Sequence, residues 1–284
     1  MFEPTLLFGL FAAVLGILAA GYYGRLELGA GMLALVGVIL AQISVNMLDD
    51  YVDYSSGLDK ETVKTKFSGG SQLVVGGNVN PEHVLVISLV LFVIALLIGT
   101  YLTIEDIALL PFFALGALCV VFYAKYMTKV PFLAEPACGL SFIFISLGCF
   151  LAAGGSLVIV PLLLFAAVPA GGQVGMALFV NGIPDRKVDS RFGRKNIGIM
   201  LKTNKNAAYF YLAMNIVAYL LVTIGVLANA IPKTSLLVLI TVPIIWAISC
   251  SISKYKNHRS FEKVMGMATM TELAIMLLLA MAFV

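Results

Sequence analysis

Six aspartates of this 284-residue chain fall in two short stretches, and their spacing suits groups that share a cation. The first stretch carries Gln42, Asn46, Asp49, Asp50 and Asp53, then runs through Ser55, Ser56 and Gly57 to Asp59. Asn46 and Asp50 are four residues apart, as are Asp49 and Asp53, so in a helix each pair lies on one face. The second stretch carries Gln173 and Asn181, then Asp185 and Asp189, again four apart. One such step is about 6 Å along a helix, close enough for two carboxylates to address one cation cluster. Carboxylates this close repel, and at the end of an apolar span they are costly unless something positive sits between them. Oxygen donors with no His or Cys nearby favour Mg²⁺ over zinc, and Mg²⁺ commonly bridges a few carboxylates to phosphate oxygens. Two matched clusters on one membrane face, with Arg and Lys from the same loops, suit a diphosphate held through metal ions. The bland alternative, solvated carboxylates at helix ends, fits a single cluster better than a matched pair.

The elements that must position these groups are membrane helices. With 61% hydrophobic and 12% charged residues, the chain has too little polar surface to cover a soluble globule of its size. Apolar runs lie near 6–23, 30–50, 82–103, 107–126, 135–153, 158–181, 205–228, 234–254 and 264–284. They approach or exceed the roughly 20 residues a helix needs to cross hydrocarbon. The expected fold class is all-α: nine transmembrane helices in one domain over residues 1–284, with long connections at 51–81 and 182–204. No basic segment precedes the first run, which reads as a retained helix and not a cleaved signal. Cys119, Cys138, Cys149 and Cys250 lie in apolar runs without CxxC spacing, against a disulfide framework and a zinc site. Nine alternating spans put sixteen of the eighteen Lys and Arg on the side holding both Asp stretches, with Arg25 and Lys233 opposite. The positive-inside rule makes that side cytoplasmic, with the cell membrane as the expected location and the lipid bilayer as a partner. No nucleic-acid partner is expected.

The motifs resemble those of the UbiA superfamily of intramembrane prenyltransferases, and the resemblance runs over almost the whole chain. Asp49-Asp50-Tyr51-Val52-Asp53, continuing through Gly57 to Asp59, is similar to the NDxxDxxxxGxD motif of the branch that prenylates dihydroxynaphthoate in menaquinone synthesis. Asp49 stands where that motif has Asn. Ser68-Gly69-Gly70-Ser71 and Gly76-Gly77 also resemble that branch. Asn181 through Asp189, followed by Gly193-Arg194-Lys195-Asn196, is similar to the family's NxxxDxxxDxxxGK pattern. Tyr123 and Glu135 sit where the family has a YS or YT element and a GE dipeptide. At the start, Glu3-Pro4 replaces the family's Arg-Pro. If that Arg holds an anionic substrate group, its loss opens the choice of acceptor to another bicyclic or tricyclic aromatic, such as a phenazine.

The resemblance implies Mg²⁺ held by Asp50, Asp53, Asp185 and Asp189, a prenyl diphosphate donor and an aromatic acceptor. Asn46 and Asn181 would orient substrate. Lys125, Arg186, Lys187, Arg191 and Lys195 are candidates for stabilising released diphosphate, and Tyr51, Tyr54 and Tyr123 for stabilising an allylic cation through their ring faces. Interfacial anchoring competes as the role of the tyrosines, and topology and lipid contact as the role of the basic residues. Gly139, Gly148, Gly171, Gly172 and Gly175 either line a groove for the prenyl tail or let helices pack. Two rival functions stay open: a transporter or channel, and another reaction on the same scaffold, such as ether-lipid assembly or terpene cyclisation. A transporter site lies near mid-membrane, where the chain has Glu272, read here as a helix-packing hydrogen-bond partner.

Overall fold

The computed structural model describes residues 4–65, 67, 74–77, 79–123 and 125–284. Among them there is no strand. The helices are α1 (Pro4–Tyr22), α2 (Leu28–Ser56), the single turn α3 (Leu58–Glu61), α4 (Pro81–Glu105), α5 (Leu110–Phe122), α6 (Ala134–Ala152) and α7 (Val160–Asn181). Then follow α8 (Arg186–Arg191), α9 (Ile197–Met200), α10 (Asn204–Leu227), α11 (Val242–Ser253) and α12 (His258–Met281). A 3₁₀ turn, Ile107–Leu109, leads into α5, and a longer 3₁₀ stretch, Lys233–Thr241, leads into α11.

Among the described residues eight helices are long and apolar enough to cross a membrane, and the chain is an integral membrane protein. The ninth expected span is a shorter apolar helix, Ile107–Phe122. The expected count of nine is thus one more than the number of described helices long enough to cross, and α5 is the short one. The 3₁₀ lead-in rises about 2.0 Å per residue against about 1.5 Å for an α-helix, which brings the segment to roughly 25 Å.

Local chemistry sets the helix ends that matter for the polar rim. Asn80 accepts a hydrogen bond from the Glu82 N–H (2.9 Å) ahead of Pro81, and Asn257 does the same from Ser260 (3.0 Å). Gly57, in the left-handed region at φ +84, stops α2. Burial then sorts the helices. The most apolar window of α7 is 72% buried within the protein, whereas that of α4 has a mean hydropathy of 2.8 and is 17% buried, so α7 is the core and α4 faces lipid.

Small residues make the close contacts of this core. A Cβ on Gly171 would stand 2.5 Å from the Gly139 carbonyl oxygen, and one on Gly175 would stand 2.9 Å from that of Glu135. Gly139, Gly171 and Gly175 therefore serve α6–α7 packing, and of the five glycines weighed from the sequence only Gly148 lines the apolar cavity that holds Asn46 and Asp49 at its polar end. Glu272 is fully buried in α12, with the Tyr211 hydroxyl of α10 beside its carboxyl.

Candidate active site

One stripe of α2 leads from the apolar interior to the polar rim. Gln42, Asn46 and Asp49 follow one another at helical spacing, and Asp53 comes one turn later. The Gly57 turn and α3 then fold the chain back and bury Asp59 beneath the rim. Burial raises the Asp59 carboxyl to about 6, with Asp53 and Asp50 adding like charge. The second stretch leaves α7 at Asn181 and places Asp185 just before α8 and Asp189 within it, both buried. Gly193, at φ +80, lets the chain double back past Asp189.

That reversal delivers Arg194 between the two acidic stretches. Its Nη2 donates to both carboxylate oxygens of Asp53 at 2.5 Å, and its Nη1 lies 3.7 Å from Asp189 Oδ1. A guanidinium thus joins a carboxylate of the first acidic stretch to one of the second, and supplies the positive charge that such close acids require. Burial works against its charge, but Asp53, Asp189 and Asp49 hold it more firmly protonated than usual. Burial lifts Asp189 to about 6, with Arg194 opposing the shift and Asp185 and Asp53 adding to it.

Further contacts fix the segment that carries Arg194. Asn196 donates from Nδ2 to Asp189 Oδ2 (3.1 Å), and Glu135, buried at the start of α6, accepts the Ile197 N–H with both oxygens (2.9 and 3.1 Å). Backbone bonds from Lys195 N to Thr128 O (2.9 Å) and from Phe132 N to Lys195 O (3.2 Å) tie the same segment to the α5–α6 connection. His258, opening α12, has Nε2 3.4 Å from Asp185 Oδ1.

The other residues singled out from the sequence take varied places. Arg186 donates from Nη1 to Asn204 Oδ1 (3.0 Å), but its buried Nε and Nη2 have no hydrogen-bond partner among the described residues. Burial lowers its guanidinium from the usual range, with Tyr255 opposing. Arg191 turns to Glu61 (2.8 Å), Lys125 lies over the Tyr126 ring, and Lys187 and Lys195 are exposed. Tyr54 carries Lys60 over its ring, and Tyr51 is half-buried at the rim. Asn181 donates to Thr269 (3.4 Å). Asp50 remains half-buried on the rim turn of α2. Glu3 and the Ser68-Gly69-Gly70-Ser71 segment lie outside the described residues.

Below the rim a cavity of about 310 Å³ opens among α1, α2, α4, α5, α6 and α7. Its α2 wall runs from Ala34 to Asp49, about 22 Å of helix, and is apolar over most of its length. The rim end is polar, with Thr5, Gln42, Asn46, Asp49 and Tyr123. Gln42 Nε2 donates to Asn46 Oδ1 (3.4 Å), and Asn46 Nδ2 to Thr5 Oγ1 (2.8 Å).

Oxygen donors crowd the rim, yet no three His, Cys, Asp or Glu groups among the described residues approach closely enough to hold a metal ion alone. An ion there would need oxygens from a second molecule, as Mg²⁺ takes when it joins carboxylates to phosphate. The unpartnered Arg186 N–H groups are further donors an anion could use. The donor set therefore fits a hard divalent ion arriving with an anion.

Comparison with known proteins agrees with this architecture. The UbiA prenyltransferase family matches residues 9–278. The 1,4-dihydroxy-2-naphthoate octaprenyltransferase of Bacillus subtilis is 26% identical over 237 residues, covering 81% of this chain and 73% of that protein. A UbiA homolog from Aeropyrum pernix K1 superposes with a TM-score of 0.75 at 19% identity, covering 99% of this chain and 98% of that one. A UbiA homolog from Archaeoglobus fulgidus bound to GPP and Mg²⁺ gives 0.61 at 12% identity, with 98% of both chains covered. With a family match over nearly its whole length, the chain belongs to the UbiA prenyltransferase family and is a prenyltransferase.

Proposed function

We propose that the protein transfers a polyprenyl group from a prenyl diphosphate to an aromatic acceptor, in the biosynthesis of a quinone-type electron carrier. The observation that carries this reading is the apolar cavity opening directly beneath two acidic stretches joined by Arg194. The naphthoate octaprenyltransferase relative and the relative bound to GPP and Mg²⁺ support the donor class and suggest a dihydroxynaphthoate-like acceptor.

Asp50, Asp53, Asp185 and Asp189 would hold Mg²⁺, which when bound draws charge off the diphosphate and makes it a better leaving group. Arg194 and Arg186 hold diphosphate oxygens with charge-assisted hydrogen bonds. The C1–O bond breaks with its electron pair leaving on diphosphate, a ring carbon of the acceptor bonds to C1, and the displaced ring proton leaves with the diphosphate. Tyr123, at the rim end of the cavity, presents its ring to the allylic cation, and the apolar walls exclude water from it. Lateral entry from lipid spares the tail a passage through water that would cost about 0.8 kcal/mol per CH₂. The rim is cytoplasmic and the membrane is the cell membrane, on the weight of basic residues at that face.

Purified protein incubated with labelled prenyl diphosphate, Mg²⁺ and a panel of hydroxynaphthoates, phenazines and glycerol phosphates tests the reading. Label should move to an aromatic, with loss of transfer in EDTA. Transfer only to glycerol phosphate, cyclised prenyl product alone, or no consumption of donor would overturn it.

A further inference from the structure

The cavity has a polar end, and its side chains are not equally spent. Gln42, Asn46 and Thr5 bond to one another in a chain. Asp49 differs. It is the one carboxylate lining the cavity among the described residues, and its Oδ1 is sealed from solvent without a hydrogen-bond partner. An acceptor oxygen left unpaired in such a place costs roughly 1–3 kcal/mol, so the position favours a ligand that brings a donor.

Asp49 is also set apart from the rim. It stands one turn, about 6 Å, deeper along α2 than Asp53, on the stripe that continues through Asn46 and Gln42 into the cavity. Asp53 is held by Arg194, and it does not line the cavity. The diphosphate end of the donor belongs with the rim acids, so its C1 carbon must lie just below them. An acceptor ring attacking C1 has to stand beside Asp49.

Resting on the functional reading above, we propose that Asp49 is the acceptor-binding residue, its Oδ1 receiving the hydrogen bond that a ring hydroxyl of the aromatic donates. The substrate class follows from the chemistry of the site. A hydroxyarene supplies the missing donor, and the same hydroxyl enriches the ring carbon that meets the allylic cation. Its methyl ether keeps the ring but cannot donate, and would leave Oδ1 unpaired. Sites built to bond a substrate hydroxyl discriminate strongly against analogues lacking it.

The test compares 1,4-dihydroxy-2-naphthoate with its dimethyl ether, at saturating Mg²⁺ and fixed donor, in wild type, Asp49→Ala and Asp49→Asn. Wild type should prefer the hydroxyl form by roughly 10- to 100-fold in kcat/KM. Asp49→Ala should bring the two substrates within about threefold of each other, a collapse of preference larger than any change in donor KM or in the Mg²⁺ activation curve. Asp49→Asn, which keeps a carbonyl oxygen, should retain most of the preference and guards against misfolding of the alanine variant. Undiminished preference in Asp49→Ala, or a change confined to donor KM or Mg²⁺ demand, would overturn the assignment. Failure of wild type to prenylate any aromatic would instead remove the functional reading, and this assignment with it.

Discussion

Replacing Arg194 with glutamine removes the positive charge between Asp53 and Asp189 and leaves a polar side chain in its place. The side chains of Arg194 and Asp53 are 20% and 15% exposed, so this is a largely desolvated pair. Removing one partner of a buried pair typically costs about 3–5 kcal/mol, and discounting for the residual solvent contact brings the figure to about 2–3 kcal/mol. That loss should appear in metal-free protein. Divalent ions compete with the guanidinium for the same carboxylates, so the variant should gain more from Mg²⁺ than wild type does. At a hundred times its Kd an ion contributes about 2.7 kcal/mol, enough to close most of the gap. Thermal unfolding in detergent would measure this, first in EDTA and then with Mg²⁺ and a prenyl thiodiphosphate that resists ionisation. The variant should melt several degrees lower in EDTA and recover on adding ion and ligand. Equal melting in EDTA, or an Mg²⁺ response no larger than that of wild type, would refute the view that Arg194 is the internal cation of the site.

Alanine at Asp50, Asp53, Asp185 or Asp189 should lower turnover by about 100-fold or more while the protein still purifies folded, measured with labelled donor at limiting Mg²⁺. Glu135→Ala should loosen the segment from Arg194 to Ile197 and cost about 1–3 kcal/mol in transition-state stabilisation, and Glu135→Gln should restore much of it because an amide oxygen can still accept the Ile197 N–H. Leucine at Gly116, whose Cβ would meet nothing within 4 Å on the cavity wall, should reject long prenyl donors before short ones. Leucine at Gly171 should destabilise α6–α7 packing and fail with all donors alike. The Asp189 carboxyl, raised from 3.8 to about 6, makes metal-free protein lose stability as pH climbs through that window, which unfolding in EDTA across it would check; ion binding, which needs the charged form, strengthens up to about pH 6 and levels off above it, which Mg²⁺ titrations from about pH 5 to 8 would check.

The transmembrane helices were legible because length and apolarity are the whole requirement for crossing hydrocarbon, and the Asp pairs because four-residue spacing survives in any helix. What the acids meet was harder to read. Arg194 lies in a motif with Lys195 and close to Arg191, Lys187 and Arg186, and composition ranks none of these above the others. The Gly193 reversal and the Glu135–Ile197 bond decide that Arg194 turns inward. Arg191 instead finds Glu61, because α8 stands beside α3. His258 was invisible as a neighbour of Asp185, since only the return of α12 to the rim brings them together. The same limit applies to the glycines. Whether a small residue opens a cavity or admits a neighbouring backbone depends on the helix opposite, and for Gly139 and Gly171 each is the other's neighbour. The shortness of α5 followed from its 3₁₀ lead-in, a change of rise that an apolar run does not reveal.

If the two acidic stretches form one catalytic centre, a divalent ion must sit between them when donor is present. Crystals grown with Mn²⁺ and a prenyl thiodiphosphate would show the ion by its anomalous scattering. Peaks should lie between the carboxylates of Asp50 and Asp53 on one side and Asp185 and Asp189 on the other, with the prenyl tail running down the cavity beside Gly148. Peaks elsewhere, or a tail lying outside the cavity with these four carboxylates free of metal, would contradict that shared centre.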